Sequence, residues 1–233
     1  MADLSLPHNT ATAGAPVAMR RGVDLQAIAL EPYEDRGILH SEVAFIVYYC
    51  RRYGIKRFIE SGRARGQSAY MLAKYMPDVE VHSVELRDSP DEHFALWRLG
   101  PLPNVKCYVG DGAMVLPLIA SLDTSKTAVF CDGPKGEKAV HIVRECFSMP
   151  HVLLGFIHDM RRLDHGWPSP HRSCAIEHFA FHKFSDEPRH VERLSWMDAG
   201  IAAAGGPCGP QFEAEHGSYG PTVGAFFNPQ NQN

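Results

Sequence analysis

The chain reads as an α/β protein built on a parallel sheet with helices on both faces. Three observations carry this reading. Short β-branched and aromatic runs alternate with helix-period stretches between residues 41 and 159. A glycine-bearing turn, Ser61 to Gln67, joins the first such run to the helix that follows it. Finally, the runs end on acids: Glu60, Glu85, Asp111 just past the third, Asp132 and Asp159. In open parallel sheets the carboxyl ends of the strands form the ligand-binding rim.

Residues 1–22 are small, polar and proline-containing and are expected to be a disordered arm, leaving residues 23–233 as one domain. Pro32 interrupts any helix across 23–38. Residues 41–53 have helical spacing, with Val43, Ile46, Val47 and Cys50 on one face, and Gly54 ends them. Residues 56–60 are the first strand. Ser68 is placed to cap a helix over 69–76, which Pro77-Asp78 breaks. Residues 79–84 form the second strand and lead into Glu85. Ser89-Pro90 opens a helix that runs to about 99. Residues 104–109 are the third strand, followed by Gly110-Asp111-Gly112 and a helix over about 113–122. Residues 126–131 are the fourth strand, ending on Asp132-Gly133-Pro134-Lys135-Gly136, before a helix over 137–148. Residues 151–157 are the fifth strand and end at His158-Asp159. The rhythm then breaks: 161–172 is a loop, 175–184 a helix, and 222–227 a last strand. There is no internal repeat and no second-domain boundary.

The composition excludes several classes. The 233 residues are 45% hydrophobic and 21% charged, enough for one α/β domain with a full core. A net charge of −4 gives no reason to expect nucleic acid or an anionic membrane as partner. No apolar run approaches the roughly 18 residues of a membrane span, and the first residues lack an apolar signal core, so a cytoplasmic protein is expected. Six scattered cysteines without C-x-x-C pairs read as reduced, mostly buried thiols.

Between the first two strands the chemistry becomes specific. A glycine turn lets a ligand approach the backbone at the positive end of a helix. A carboxylate at the tip of the second strand, Glu85, can accept from both hydroxyls of a ribose, which implies an adenosine-containing cofactor. The turn is E-S-G-R-A-R-G, with Ala64 where a dinucleotide fingerprint has its second glycine and Glu60 two places before the first. A carboxylate there repels a pyrophosphate and suits an ammonium.

This stretch resembles motif I of the class I S-adenosylmethionine-dependent methyltransferases, and the likeness covers about residues 43–227. The resemblance implies a Rossmann-like, seven-stranded, mostly parallel sheet with an antiparallel last strand. It implies an acceptor-shaping insertion over about 160–218. It assigns S-adenosylmethionine to Glu60, Ser61, Gly62, Ala64, Gly66, Ser68, Glu85, Gly110, Asp111, Gly112 and Asp132, with Gly110-Asp111-Gly112 as the adenine site. The stretch from Asp132 to Lys135 resembles motif IV. In the catechol-type O-methyltransferases an Asp-x-x-Lys there supplies a magnesium ligand and a base, and an acidic pair or Asp-Asn after strand five completes the metal site. Here His158-Asp159 stands in that place. Lys135, His158 and Asp159 are therefore the catalytic candidates, and Asp132, His158 and Asp159 the metal candidates. Two readings stay open: Mg2+ or another divalent ion on these three, or no metal and His158 as the base.

The function this implies is in-line transfer of a methyl group to a hydroxyl of a small molecule or sugar. The oligomeric state is left open, a homodimer included. The competitors are an NAD(P)-dependent oxidoreductase and a non-catalytic nucleotide-binding scaffold. Against the first stand Glu60, the missing glycine and the absence of a Tyr-x-x-x-Lys pair after strand four. Seven histidines lie between His151 and His190. His178 and His182, four apart on an expected helix, could bind zinc, but with no third ligand at a fixed offset they read as packed or solvated.

Overall fold

In the computed structural model, which describes residues 24–34, 37–87, 90–162 and 171–231, the elements follow in chain order. They are α1 (Leu25–Ala29), α2 (His40–Tyr53), β1 (Arg57–Ser61), α3 (Gln67–Tyr75), β2 (Glu80–Glu85), α4 (Pro90–Leu99), β3 (Val105–Val109), α5 (Gly112–Ala120), β4 (Thr127–Cys131) and α6 (Glu137–Cys146). Then come β5 (Val152–Ile157), α7 (His171–His178), β6 (His182–Phe184), α8 (Pro188–Leu194), α9 (Ala199–Ala203), α10 (Pro210–His216) and β7 (Gly224–Phe227). The expected arm at 1–22, the cap at Ser89, the loop positions 163–170 with His165 and Trp167, and the side chain of His171 lie outside the described residues.

Seven strands form one sheet in the order β3-β2-β1-β4-β5-β7-β6. Strand β7 runs antiparallel to both β5 and β6, and the other pairings are parallel. Glu60 lies beside Ser83, and Ser61 beside Cys131. The carboxyl ends of β1, β2, β3 and β4 therefore share one edge. Chain order reverses between β1 and β4, which opens a crevice at that edge.

Alternation along β1 divides the core. Phe58 points to one face, 6.2 Å from the rings of Phe130 and Phe156, and packs with α2 and α3. Ile59 points to the other, with Val129 and the buried faces of α5 and α6. Helix α2 ends at Gly54 in the left-handed region (φ +66°), as its position after the helical pattern predicts.

The structure corrects three local expectations. Residues 175–184 are not one helix: α7 stops at His178, and His182–Phe184 is the edge strand β6. The two histidines therefore share no helix face. His182 instead holds the Phe179 carbonyl through Nδ1 at 3.0 Å. Ser68 does not cap α3. The helix begins at Gln67 after Gly66 (φ +77°), and the Ser68 hydroxyl donates to Glu60 instead. The last strand begins at Gly224 rather than 222, because Thr222 adopts φ +74°, a conformation no strand residue holds.

All six cysteines are free, four of them buried. Among the described residues no helix is long and apolar enough to cross a membrane. Just past β7, buried Asn228 donates through Nδ2 to the carbonyls of Phe147 (3.0 Å), Met149 (3.4 Å) and Val152 (2.8 Å). One amide thus closes the turn between α6 and β5. Asn228→Ala should cost about 1–3 kcal/mol, because it strands carbonyls that water cannot reach. Urea melts check this, and an unchanged midpoint would count against the pin.

Candidate functional site

The glycine turn rests on a close approach. Gly62 has φ +90°, and a Cβ there would lie 2.5 Å from the Gly133 nitrogen. Any side chain would push apart the ends of β1 and β4. Ala64 also has positive φ (+44°), unusual for a residue with a Cβ. Its N–H donates to Glu85 Oε2 at 2.7 Å, while Glu85 Oε1 takes the Leu86 N–H at 2.9 Å. The carboxylate at the β2 tip thus holds the turn, and each oxygen keeps further acceptor capacity.

Arg63, between Gly62 and Ala64, turns inward and is only 2% exposed. Its guanidinium grips Glu92 of α4 with both nitrogens of the fork, Nε at 2.9 Å, and donates to the carbonyls of Ser83 and Tyr108. One side chain therefore ties the turn to β2, β3 and α4. Its sequence context, a basic residue in a glycine turn, signals an exposed loop, and nothing there points to this buried pair.

Above the turn opens a cleft of about 990 Å³. Gly62, Ala64, Ser68, Glu85 and Asp132 line it, and so do Lys135, His158 and Asp159. The remaining cofactor candidates do not. Glu60 is 1% exposed beneath the turn and accepts from Ser68 Oγ (2.9 Å) and Ser83 Oγ (2.6 Å). Burial raises its pKa, and the two hydroxyls oppose that shift. It braces α3 against β2 and does not line the cleft. Ser61 is buried under the start of α5, where a Cβ on Gly112 would come within 2.8 Å of the Ser61 Cβ. Gly66 packs on Ala95, and Gly110 on Val115. Asp111 is exposed and caps α5, accepting the Ala113 N–H at 2.9 Å.

The second half of the site is an ion cluster. The Lys135 ammonium bridges Asp132, at Oδ1, and Asp159, at 2.5 Å. His158 places Nδ1 2.8 Å from Asp132 Oδ1 and Nε2 3.2 Å from Glu42 of α2. Glu42 was absent from the sequence candidates. It is 1% exposed and also accepts the Leu39 N–H. Only the packing of α2 over β5 brings it to His158, 116 positions away. Burial alone would raise both aspartates, but His158 and then Lys135 overcome it and hold both carboxyls below their usual range. Burial would likewise lower His158, yet Asp132, Glu42 and Asp159 drive it well above an ordinary histidine. Lys135 is raised as well, because Asp132 and Asp159 outweigh its burial. Lys135 and His158 are therefore held among Asp132, Asp159 and Glu42. Asp159 sits at φ +60°, and the next residue, Met160, donates its N–H to the carbonyl of strained Thr222 at 2.9 Å. With Ala64, these two positions give the rim its local strain.

Asp198, fully buried behind Glu42, accepts the Ser41 N–H at 3.1 Å at the start of α2. Burial raises its pKa to about 7, against the opposing bonds from Ser41 and with help from Glu42. A raised folded-state value means that stability is fully present below the unfolded pKa and is lost as pH rises toward 7. Asp198→Asn keeps an acceptor for Ser41 and removes the titration. It should melt higher than wild type at about pH 8, with the gain fading below about pH 5. A gain independent of pH, or none, would refute the assignment.

The far wall of the cleft comes from the loop and helices between residues 202 and 215, with Gly205, Cys208 and Phe212 on it. This part of the expected insertion reaches the cleft. Residues 171–194, by contrast, contribute β6 and helices packed on the sheet cores.

No family model and no curated protein matches the chain. Solved structures do. A Klebsiella pneumoniae protein assigned as an O-methyltransferase superposes with a TM-score of 0.57 at 15% identity, over 93% of this chain and 92% of that one. The O-methyltransferase from Bacillus cereus, solved with S-adenosylhomocysteine, gives 0.57 at 13% identity, over 91% and 93%. TomG, an O-methyltransferase of tomaymycin synthesis from Streptomyces achromogenes, solved with S-adenosylmethionine, gives 0.52 at 16% identity, over 88% and 96%. At these identities the likeness is one of fold. The chain has the seven-stranded, Rossmann-like sheet of these proteins, with its antiparallel β7.

Proposed function

We propose that the chain is an S-adenosylmethionine-dependent methyltransferase acting on a hydroxyl of a small molecule, sugars included. The observation that carries this is the Glu85 carboxylate at the β2 tip, held by the Ala64 N–H and facing a cleft that Asp132 and Asp159 also line. The donor set fits the cofactor. Glu85 suits a pair of ribose hydroxyls, and carboxylates of the cleft such as Glu34 and Asp91 suit a ligand bearing an ammonium and a sulfonium. Glu85 beside the turn opposes a pyrophosphate there, which disfavours a nicotinamide dinucleotide, and the Ala64 N–H that would serve a phosphate is already spent on Glu85.

When bound, S-adenosylmethionine supplies a methyl group already activated on a sulfonium. Glu85 and the 62–66 turn orient the ligand, and the 202–215 wall seats the acceptor. The Lys135 ammonium lies where the acceptor hydroxyl would meet the cleft. A fixed cation there favours loss of the hydroxyl proton to cleft water and holds the oxygen in line for attack. With the cofactor held there, its methyl group would replace the hydroxyl proton, and that proton would leave through cleft water.

Calorimetry with S-adenosylmethionine, S-adenosylhomocysteine and NAD tests this reading. Heat from the first two only is the expected result. Binding of NAD alone would overturn it in favour of an oxidoreductase. Cofactor binding without transfer to any acceptor would favour the scaffold.

A further inference from the structure

The catechol-type resemblance implies a divalent ion on Asp132, His158 and Asp159, and one ligand atom from each does fall within 4.8 Å of the others. The chemistry of those atoms does not fit such an ion. Asp132 Oδ1 and Asp159 Oδ2, one oxygen of each carboxylate, already hold the Lys135 ammonium. The same Asp132 oxygen also faces His158 Nδ1 at 2.8 Å. His158 Nε2 faces Glu42 at 3.2 Å. Both ring nitrogens of His158 are thus already engaged by carboxylates of the protein itself, one at the end of β4 and one on α2. Magnesium moreover prefers an all-oxygen shell.

We propose that Lys135 takes the place of the divalent cation, so that the site works without metal and receives one acceptor hydroxyl rather than a chelating pair. The inference rests on the methyltransferase reading above and deepens it. An ammonium has three donors. Two of those on Lys135 are spent on Asp132 and Asp159, and the third is left for the cleft, which Lys135 lines. A metal would present several open positions and could hold two adjacent oxygens. One N–H holds one. Glu42 is the strut behind this arrangement: it keeps His158 pressed on Asp132, which in turn keeps the carboxylate turned to Lys135.

The test titrates the full chain with MgCl2, MnCl2 and ZnCl2 alone, by calorimetry, with and without S-adenosylhomocysteine. Wild type should show no saturable binding, and its affinity for S-adenosylhomocysteine should be the same in EDTA as in magnesium. Lys135→Ala frees both carboxylates and should bind Mn2+ saturably where wild type does not, since an ammonium no longer repels the ion. Lys135→Met, which keeps the side-chain bulk, serves if the alanine variant does not fold. Micromolar metal binding by wild type would overturn the proposal, and so would lysine variants that bind Mn2+ no better. Failure of the protein to bind S-adenosylhomocysteine at all would sink the methyltransferase reading instead, leaving the metal titration to judge Lys135 by itself.

Discussion

Arg63→Ala should lower the unfolding free energy by about 3–5 kcal/mol, the range for removing one partner of a buried ion pair. Arg63 and Glu92 are each 2% exposed, and the fork holds both carboxylate oxygens. Truncation takes the guanidinium away from buried Glu92 and from the carbonyls of Ser83 and Tyr108. Arg63→Ala together with Glu92→Leu should recover part of the loss, because the buried carboxylate goes with it. Urea unfolding measures both. A single mutant within about 1 kcal/mol of wild type would mean that the pair does not brace the fold. The variant should also bind cofactor poorly at temperatures where it stays folded, since the turn would lose its link to α4.

Glu85→Ala should weaken S-adenosylhomocysteine binding at least about tenfold. Two losses coincide at this one residue. The ribose loses its acceptors, and Ala64 loses the partner that holds its positive φ. Glu85→Gln keeps an acceptor and should fall between the two. Titration calorimetry reads the affinity, and unaltered far-ultraviolet dichroism confirms that the sheet persists. Equal affinities for wild type and Glu85→Ala would remove the ribose site from the β2 tip.

These two residues differ in how far sequence reasoning could reach them. Glu85 ends a strand after a glycine turn, and its place on the cleft follows from that order alone. Asp132, Lys135, His158 and Asp159 were equally legible, because strand ends in a parallel sheet must meet at one edge. Glu60 and Asp111 carried the same signature. The structure nevertheless turns Glu60 under the turn to meet Ser68 and Ser83, and spends Asp111 on a helix cap. A strand-end acid and a buried brace look identical in one dimension. Strand β6 was hidden for another reason. At three residues it is too short for a periodicity to register, and its pairing with β7 lies some 40 positions away.

Local order along this chain determined the alternation of strand and helix, the glycine turn and the row of acids, because hydrophobic period and turn chemistry act over a few residues. Packing alone decided which acids face the cleft, that Arg63 points inward, and that Glu42 reaches His158. Those outcomes depend on which charges lose water together, and such desolvation is set by neighbours distant in sequence.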